Sequence, residues 1–164
     1  MYCRRLVWVP ADAPDALQNA LLRAFRAFDR YREDASFRAW MFKILTNEIF
    51  ALNRKRGRIG KFEVATDPQE LDVLGALEQT ADYTDWLLSP QALADALDEG
   101  VLAALNGLTD TERAVLLLRA IGEFRYREIG ESLGIPLGSV MGNLFRALQK
   151  MRAAIVAARR RVTP

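Results

Sequence analysis

Four polar side chains in the last third of this chain are spaced to contact a polymer from one face of a helix. They are Ser139, Asn143, Arg146 and Lys150, which recur at intervals of four, three and four residues. Hydroxyl and amide groups at such positions hydrogen-bond base edges, and Arg and Lys also bind phosphates, so the pattern predicts nucleic-acid recognition. The same residues would also suit the solvated face of an ordinary helical hairpin.

The residues around this face predict the two helices that hold it. Apolar side chains on both sides of a turn are spaced to form one small core: Ile129, Leu133, Val140 and Leu144. Gly134 lies where the first helix must end in a left-handed conformation, and Pro136 lies where the second begins, because a proline there needs no N–H partner. Residues 124–152 therefore predict a helix-turn-helix whose second helix reads DNA, with Val140 and Leu144 facing inward.

A second set of chemically suitable residues, aromatic and basic, occupies residues 31–58. Basic side chains bind phosphates and aromatic rings stack on bases, so this block is a second candidate contact with nucleic acid. The helical spacing of Trp40 favours a core position, whereas Phe37 is open to either role.

Charge is segregated along the sequence although the formal net charge is only +2. Residues 1–61 contain 13 Lys or Arg against 6 acids, and residues 113–164 contain 10 against 3. Residues 62–112 contain 12 acids and neither Lys nor Arg. Two basic lobes separated by an acidic connector indicate two contacts with a polyanion, unless the segregation arose by chance on solvated surfaces.

Composition also narrows the function classes. The chain contains no His and a single Cys, which removes the commonest general base, the commonest metal ligand and any intramolecular disulfide. It has no glycine-rich phosphate loop, and no apolar run approaches the ~20 residues of a membrane span. We therefore expect a cytoplasmic protein that is not an enzyme, has no membrane contact, and carries no metal or cofactor.

Apolar periodicity predicts an all-α fold. One apolar stripe, expected to face a core, lies on a helix over residues 15–29: Leu17, Leu21, Phe25 and Phe28. Ser36 is the predicted cap of the next helix, and residues 109–112 form a capping box. Glycines and prolines between residues 57 and 90 divide the chain into a helical domain at 1–57, an acidic linker at 58–90 and a helical domain at 91–164. Such a linker predicts that the two lobes are loosely placed.

In this order and separation, the two blocks resemble the two conserved domains of extracytoplasmic-function (ECF) sigma factors, a class of the bacterial sigma-70 family. Residues 13–26, which begin APDALQ, and residues 34–47, which begin DASFRAW, resemble region 2 of that family. Residues 108–152, with YREI at 126–129 and GIPLGSV at 134–140, resemble region 4 and its helix-turn-helix. The resemblance implies a dissociable RNA polymerase subunit that directs promoter recognition and strand opening.

The resemblance also implies roles for individual residues. Contacts with the −35 promoter element are implied for Ser139, Met141, Asn143, Arg146, Lys150 and Arg127. Contacts with the −10 element are implied for Arg30, Asp34, Ser36, Phe37, Asn47, Arg54, Lys55 and Arg56. The resemblance also makes residues 30–40 the candidate loop that captures unpaired bases, by stacking on aromatic rings. Contacts with the RNA polymerase core, through its beta-prime subunit, are implied for Asp15, Gln18, Leu22 and Arg23. An anti-sigma factor is a further implied partner.

The chain departs from the family pattern before and within the docking helix, where Pro14 and Asn19 stand at positions that are commonly acidic, and in the reader helix. Residues 1–10 alone precede the docking segment, where a complete helix is usual, so exposure of Leu17, Leu21 or Phe25 is expected. The reader helix carries three residues where polar or basic ones are common: Met141, Gly142 and Phe145. Two other interpretations stay open: a free-standing helix-turn-helix regulator that binds duplex DNA without polymerase, and a degenerate sigma-like interaction protein that no longer initiates.

Overall fold

The computed structural model describes residues 1–32, 36–57 and 99–162, and every regular element in those ranges is helical. The α-helices are α1 Tyr2–Leu6, α2 Ala13–Arg26, α3 Phe37–Lys55, α4 Glu99–Asn106, α5 Asp110–Ala120, α6 Tyr126–Leu133 and α7 Leu137–Val162. Short 3-10 turns at Pro10–Asp12 and Phe28–Arg30 flank α2. The all-α prediction is confirmed, while Asp34 and the linker at 58–90 lie outside the described residues.

Helix α2 packs in the first lobe through its smallest side chains. Its buried residues are Ala13, Ala16, Ala20 and Ala24. They recur at helical spacing, and a face without bulky side chains lets α2 and α3 approach closely. The prediction that the stripe Leu17, Leu21, Phe25 and Phe28 faces the core is therefore wrong: the first three are exposed on the adjacent side of α2, and Phe28 is exposed in the 3-10 turn that follows it. The competing expectation, exposure of Leu17, Leu21 or Phe25, is confirmed.

Helix α3 is the longest element of the first lobe. The predicted cap is confirmed, since the Ser36 hydroxyl oxygen accepts a hydrogen bond of 3.3 Å from the backbone N–H of Ala39. The side of α3 that is buried includes Thr46 and Ile49. The Tyr2 hydroxyl of α1 lies 2.7 Å from the Thr46 hydroxyl, and burial raises the pKa of Tyr2 far above its ordinary value.

Helix α5 forms the centre of the second lobe. The predicted capping box is confirmed: the Glu112 N–H donates to the Thr109 hydroxyl at 3.2 Å, and the Thr109 N–H donates to the Glu112 carboxylate at 3.0 Å. Helices α1, α6 and α7 all contact α5, so its residues 114–118 are fully buried. Residues 114–118 are all apolar because helices pack on several sides of α5.

The turn between α6 and α7 has the predicted glycine cap. Gly134 has φ +68°, in the left-handed region that glycine tolerates best. The N–H of Ile135 then donates to the Gly130 carbonyl at 3.0 Å, and a Cβ at Gly130 would lie 2.9 Å from the Ile135 carbonyl oxygen. Small residues at these two positions bring α6 and α7 into the helix-turn-helix arrangement.

The two lobes are in contact, although the linker composition predicts loose placement. Helix α1 packs on α5, and α3 packs on α6. The Phe42 ring of α3 lies 5.0 Å from the Phe124 ring, between centroids, and Phe124 is fully buried. Apolar side chains from both lobes therefore share one core. None of the described helices is long and apolar enough to cross a bilayer.

Candidate nucleic-acid interface

The reader helix α7 has one buried side and one polar side. Val140 and Leu144 are fully buried, which confirms their predicted inward orientation. Met151 continues the same buried side two turns later. Of the residues with an implied −35 contact, Ser139, Met141 and Arg146 are half-buried and Lys150 is exposed. Solvent therefore reaches four of the residues with an implied −35 contact on α7: Ser139, Met141, Arg146 and Lys150.

Asn143 is the exception among the predicted reader residues. It is buried, and its amide group donates a 2.7 Å hydrogen bond to the Ser139 carbonyl within the helix. Its side-chain oxygen accepts from the Arg146 guanidinium at 3.2 Å. The Asn143 side chain is thus occupied by its own helix, and Arg146 is oriented by that contact.

Glu112 is a charged residue of this interface that sequence reasoning did not connect with the reader helix. Besides capping α5, its carboxylate accepts hydrogen bonds from the Lys150 ammonium at 2.9 and 2.7 Å. The Arg146 Nε lies 3.6 Å from the same carboxylate. The Glu112 side chain is only 3% exposed, and it binds the charged groups of Arg146 and Lys150, whose side chains are 40% and 47% exposed. The capping box marks Glu112 in the sequence, but nothing local marks its partners.

The basic surface of the second lobe continues onto α6. Arg127, in the first turn of α6, is exposed, as is the neighbouring Arg125. The Arg119 guanidinium lies over the Tyr126 ring at 5.6 Å, which packs that ring against α5. Arg127 therefore projects from a braced helix start, where a phosphate contact is geometrically accessible.

Four rings form an aromatic cluster where α2 leads into α3. They are Phe28, Tyr31, Phe37 and Trp40, with centroid separations from 5.2 to 6.5 Å. Phe28 and Phe37 are 57% and 51% exposed, whereas Tyr31 and Trp40 are half-buried beneath them. Trp40 thus belongs to the packed part of the cluster and Phe37 to its open part. Tyr31 lies within the predicted loop at residues 30–40 without having been assigned a role, and Phe28 lies just outside that loop.

The polar −10 candidates lie on the open surface of the first lobe. Arg30, Ser36 and Asn47 are exposed. Arg54, Lys55 and Arg56 are exposed at the end of α3, and the Arg56 guanidinium is held by the Asp12 carboxylate at 2.6 Å. Within the described residues, a cationic helix end and an aromatic cluster therefore flank the exposed Asn47.

The predicted polymerase contacts lie on the exposed side of α2. Asp15, Gln18 and Leu22 are exposed, and Arg23 forms a 2.7 Å ion pair with Glu48 of α3. Leu17, Leu21 and Phe25 extend this surface with apolar area. The described residues bring together no three His, Cys, Asp or Glu side chains that could hold a metal ion.

Comparison with known proteins relates both lobes to one family. The family model described as Sigma-70 region 2 matches residues 1–59, and that of Sigma-70 region 4 matches residues 98–151. The ECF RNA polymerase sigma-E factor of Escherichia coli K12 is 27% identical over 143 residues, covering 85% of this chain and 72% of the relative. The ECF RNA polymerase sigma factor SigG of Mycobacterium tuberculosis H37Rv is 30% identical over 162 residues, covering 92% of this chain and 44% of the relative.

A solved structure has the same fold. The sigma factor RpoE from Bartonella quintana, solved in complex with the anti-sigma factor NepR, matches with a TM-score of 0.67 at 22% identity. The match covers 94% of this chain and 88% of that one.

Proposed function

This chain belongs to the ECF group of the sigma-70 family and directs RNA polymerase to promoters, and we propose how its two lobes divide that work. The second lobe binds the −35 element as duplex, and the first lobe captures unpaired bases of the −10 element. The observation that carries this division is the exposed aromatic cluster on the lobe that matches region 2.

The assignment of duplex to the second lobe is supported by a rigid polar helix face. Ser139 and Met141 lie in the first turns of α7, which is where a reader helix approaches base edges. Arg146 and Lys150 lie further along. Glu112 holds their charged groups in place, and their partly exposed side chains are the candidates for phosphate contacts. Arg127 on α6 adds a phosphate contact on the same side. Asn143 would reach a base only by leaving its intrahelical hydrogen bonds.

The assignment of unpaired bases to the first lobe is supported by exposed aromatic area. Phe37 and Phe28 present ring surface to solvent, and stacking of a base on such a ring contributes about 1–3 kcal/mol. Asn47 supplies an exposed amide for a base edge. The remaining −10 candidates are also exposed: Arg30 and Ser36 lie near the aromatic cluster in the chain, and the basic tail Arg54, Lys55 and Arg56 lies at the other end of α3.

Polymerase docking is assigned to the exposed side of α2. Asp15, Gln18, Leu22 and Arg23 form a mixed polar and apolar surface, which suits a protein partner better than DNA. We assign this surface to the beta-prime subunit of the core. The chain performs no reaction of its own, acts in the cytoplasm, and has an anti-sigma protein as a further partner, by analogy with the RpoE complex.

The decisive experiment separates duplex binding from strand opening. Holoenzyme with Phe37→Ala and Asn47→Ala should bind a matched promoter within about two-fold of wild type, because the −35 lobe is unchanged. Permanganate reactivity of melted thymines should fall about ten-fold or more, the effect of losing one stacked base.

Lys43→Ala is the matched control, since Lys43 is an exposed residue of the same helix with no assigned role. Unchanged thymine reactivity in the double variant, with polymerase still bound, would contradict base capture by this lobe. Binding of the free chain to promoter duplex without any association with core polymerase would favour the free-standing regulator instead.

A further inference from the structure

A buried carboxylate lies beneath two cations of the reader helix. Glu112, in the first turn of α5, has a side chain that is only 3% exposed. Its Oε2 accepts the 3.0 Å capping hydrogen bond from the Thr109 N–H, and both oxygens accept from the Lys150 ammonium, at 2.9 and 2.7 Å. The carboxylate is therefore fixed by its own helix, and a duplex that approaches α7 meets the cations rather than the acid.

The guanidinium of Arg146 is held against the reader helix by three neighbours. Its Nε lies 3.6 Å from the Glu112 carboxylate, and its Nη2 donates to the Asn143 side-chain oxygen at 3.2 Å. A Cβ at Gly142 would lie 3.5 Å from Nη1 and 3.9 Å from Nη2, so the guanidinium lies beside that residue, one turn back along α7. A longer side chain at position 142 would compete for this surface. Gly142, one of the departures from the family pattern, therefore leaves the surface to Arg146.

The contacts with Glu112 change how the two cations meet DNA. A free Lys or Arg side chain binds a phosphate of any duplex, and such contacts account for nearly all non-specific binding. A cation that is paired with a buried carboxylate binds a phosphate only in competition with that carboxylate. The competition is smallest for a duplex whose phosphates fit the orientation already held, because phosphate contacts fix the register of a protein on DNA. Glu112 therefore weakens binding to unrelated duplex more than binding to a fitting one.

We propose that Glu112 is a specificity-determining residue of the reader helix. Its buried carboxylate holds Arg146 and Lys150 in one orientation and competes with phosphates for their charge, so that duplex without a −35 element binds weakly. Glu112 is a positioning residue, because it acts through the two cations and does not itself contact DNA. The inference rests on the proposed function for the −35 contact of α7.

The test uses holoenzyme and two promoter fragments that share a −10 element. One fragment has the matched −35 element, and the other has that element scrambled. Glu112→Gln keeps an oxygen for the Thr109 cap but removes the charge. It should raise the affinity for the scrambled fragment about five-fold, since an anion near the phosphates is gone, and leave the affinity for the matched fragment unchanged, since lost orientation opposes the gain. The ratio of the two affinities, matched to scrambled, should therefore fall about five-fold.

The salt dependence of binding to the scrambled fragment gives a second readout. Glu112→Gln makes one further cation available to phosphate, so the slope of log affinity against log salt concentration should become steeper by about 0.9. A residue that only stabilised the lobe would give a weaker affinity and a slope that is no steeper.

Glu131→Gln is the matched control, because it removes one acid from an exposed position of α6 that pairs with neither cation. It should change both affinities equally, so that their ratio stays at the wild-type value. In an Arg146→Ala background, Glu112→Gln should lower the ratio by less than it does in wild type, because one of the two groups through which it acts is absent. A fall as large as in wild type would contradict action through Arg146.

Equal losses of affinity for both fragments, or a ratio that Glu112→Gln leaves unchanged, would overturn the inference. If that variant loses helical content, Glu112→Asp decides, since it keeps the charge, withdraws it from Arg146 and Lys150, and should also lower the ratio. A wild-type holoenzyme that binds both fragments equally would contradict the proposed −35 contact. Wild-type discrimination that survives in Glu112→Gln would contradict this inference alone.

Discussion

The two lobes differ in the kinds of side chain that they bury and expose. The second lobe buries charge: Asp110, Glu112 and Arg113 are at most 4% exposed, and each has specific partners. The first lobe exposes apolar area: Phe25, Phe28 and Phe37 are 83%, 57% and 51% exposed. A buried charge is tolerated only with its partners in place, so the second lobe is a fixed surface. Large exposed rings usually mark contacts made with another molecule.

This contrast matches the states of DNA that the proposed function assigns to the two lobes. Duplex exists before binding and is matched by a preformed helix face. Unpaired bases form only after strand opening. The rings proposed to bind them are therefore exposed to water in the free chain. We therefore expect the second lobe to be sensitive to loss of internal partners, and the first lobe to be sensitive in strand opening rather than in folding.

The largest effect on the free energy of unfolding is expected for a substitution at Arg113. Its Nε donates to the Leu105 carbonyl at 2.9 Å, its guanidinium donates to the Asn106 side chain at 2.6 Å, and it lies 4.5 Å from the Trp8 ring centroid. Arg113→Ala removes both hydrogen bonds of a fully buried side chain and opens a cavity, so the free energy of unfolding should fall by about 3 kcal/mol in urea denaturation.

The matched substitution in the first lobe is Arg26→Ala. Arg26 is exposed at the end of α2, and its replacement should change the unfolding free energy by less than ~0.5 kcal/mol. Equal effects at the two arginines would remove the distinction between the lobes.

A smaller effect on the unfolding free energy is expected for ion pairs, and one pair from each lobe is compared. A double-mutant cycle with Glu112→Gln and Lys150→Ala should give a coupling of about 1 kcal/mol, because one partner is almost fully buried. The Glu112→Gln variant keeps the capping geometry, since glutamine also serves at that position of a capping box. The first-lobe cycle, Asp12→Asn with Arg56→Ala, should give less than ~0.5 kcal/mol because both partners reach solvent. The reverse order would contradict the comparison.

The parts of the site that could be predicted from sequence are local. The Thr109 capping box, the Gly134 turn and the inward orientation of Val140 and Leu144 depend on residues within a few positions of each other. Short-range hydrogen bonds and helical spacing determine them, and no distant partner is needed.

The parts that could not be predicted depend on distant or competing partners. The apolar stripe of α2 and its alanine stripe have the same helical period, so periodicity alone does not decide which one faces α3. The alanines are buried because they allow closer packing. Trp8 and Asp110 are 102 residues apart, and no pattern in either segment indicates their hydrogen bond.

The smallest expected effect is a dependence of the unfolding free energy on pH. It arises from Asp110, whose carboxylate accepts hydrogen bonds from Trp8 and Asn53 of the first lobe. Burial raises the pKa of the Asp110 carboxyl above its ordinary value of 3.8, while the hydrogen bonds from Trp8 and Asn53 and the charges of Arg113 and Arg54 oppose that rise. The folded chain therefore holds this proton more tightly than the unfolded chain. Between the ordinary and the folded pKa, the unfolding free energy falls as pH rises.

Asp110→Asn removes this titration while retaining an oxygen that accepts from Trp8 and Asn53. The unfolding free energy of wild type minus that of the variant should fall as pH rises above 3.8, and become constant once Asp110 is ionised in the folded chain. Urea denaturation at a series of pH values measures that difference. In a Trp8→Phe background the fall should extend to higher pH, because a donor that favours the ionised carboxylate is gone. A difference that rises with pH would mean that the hydrogen bonds and arginines outweigh burial, so that the contact between the lobes is held by a stabilised charge.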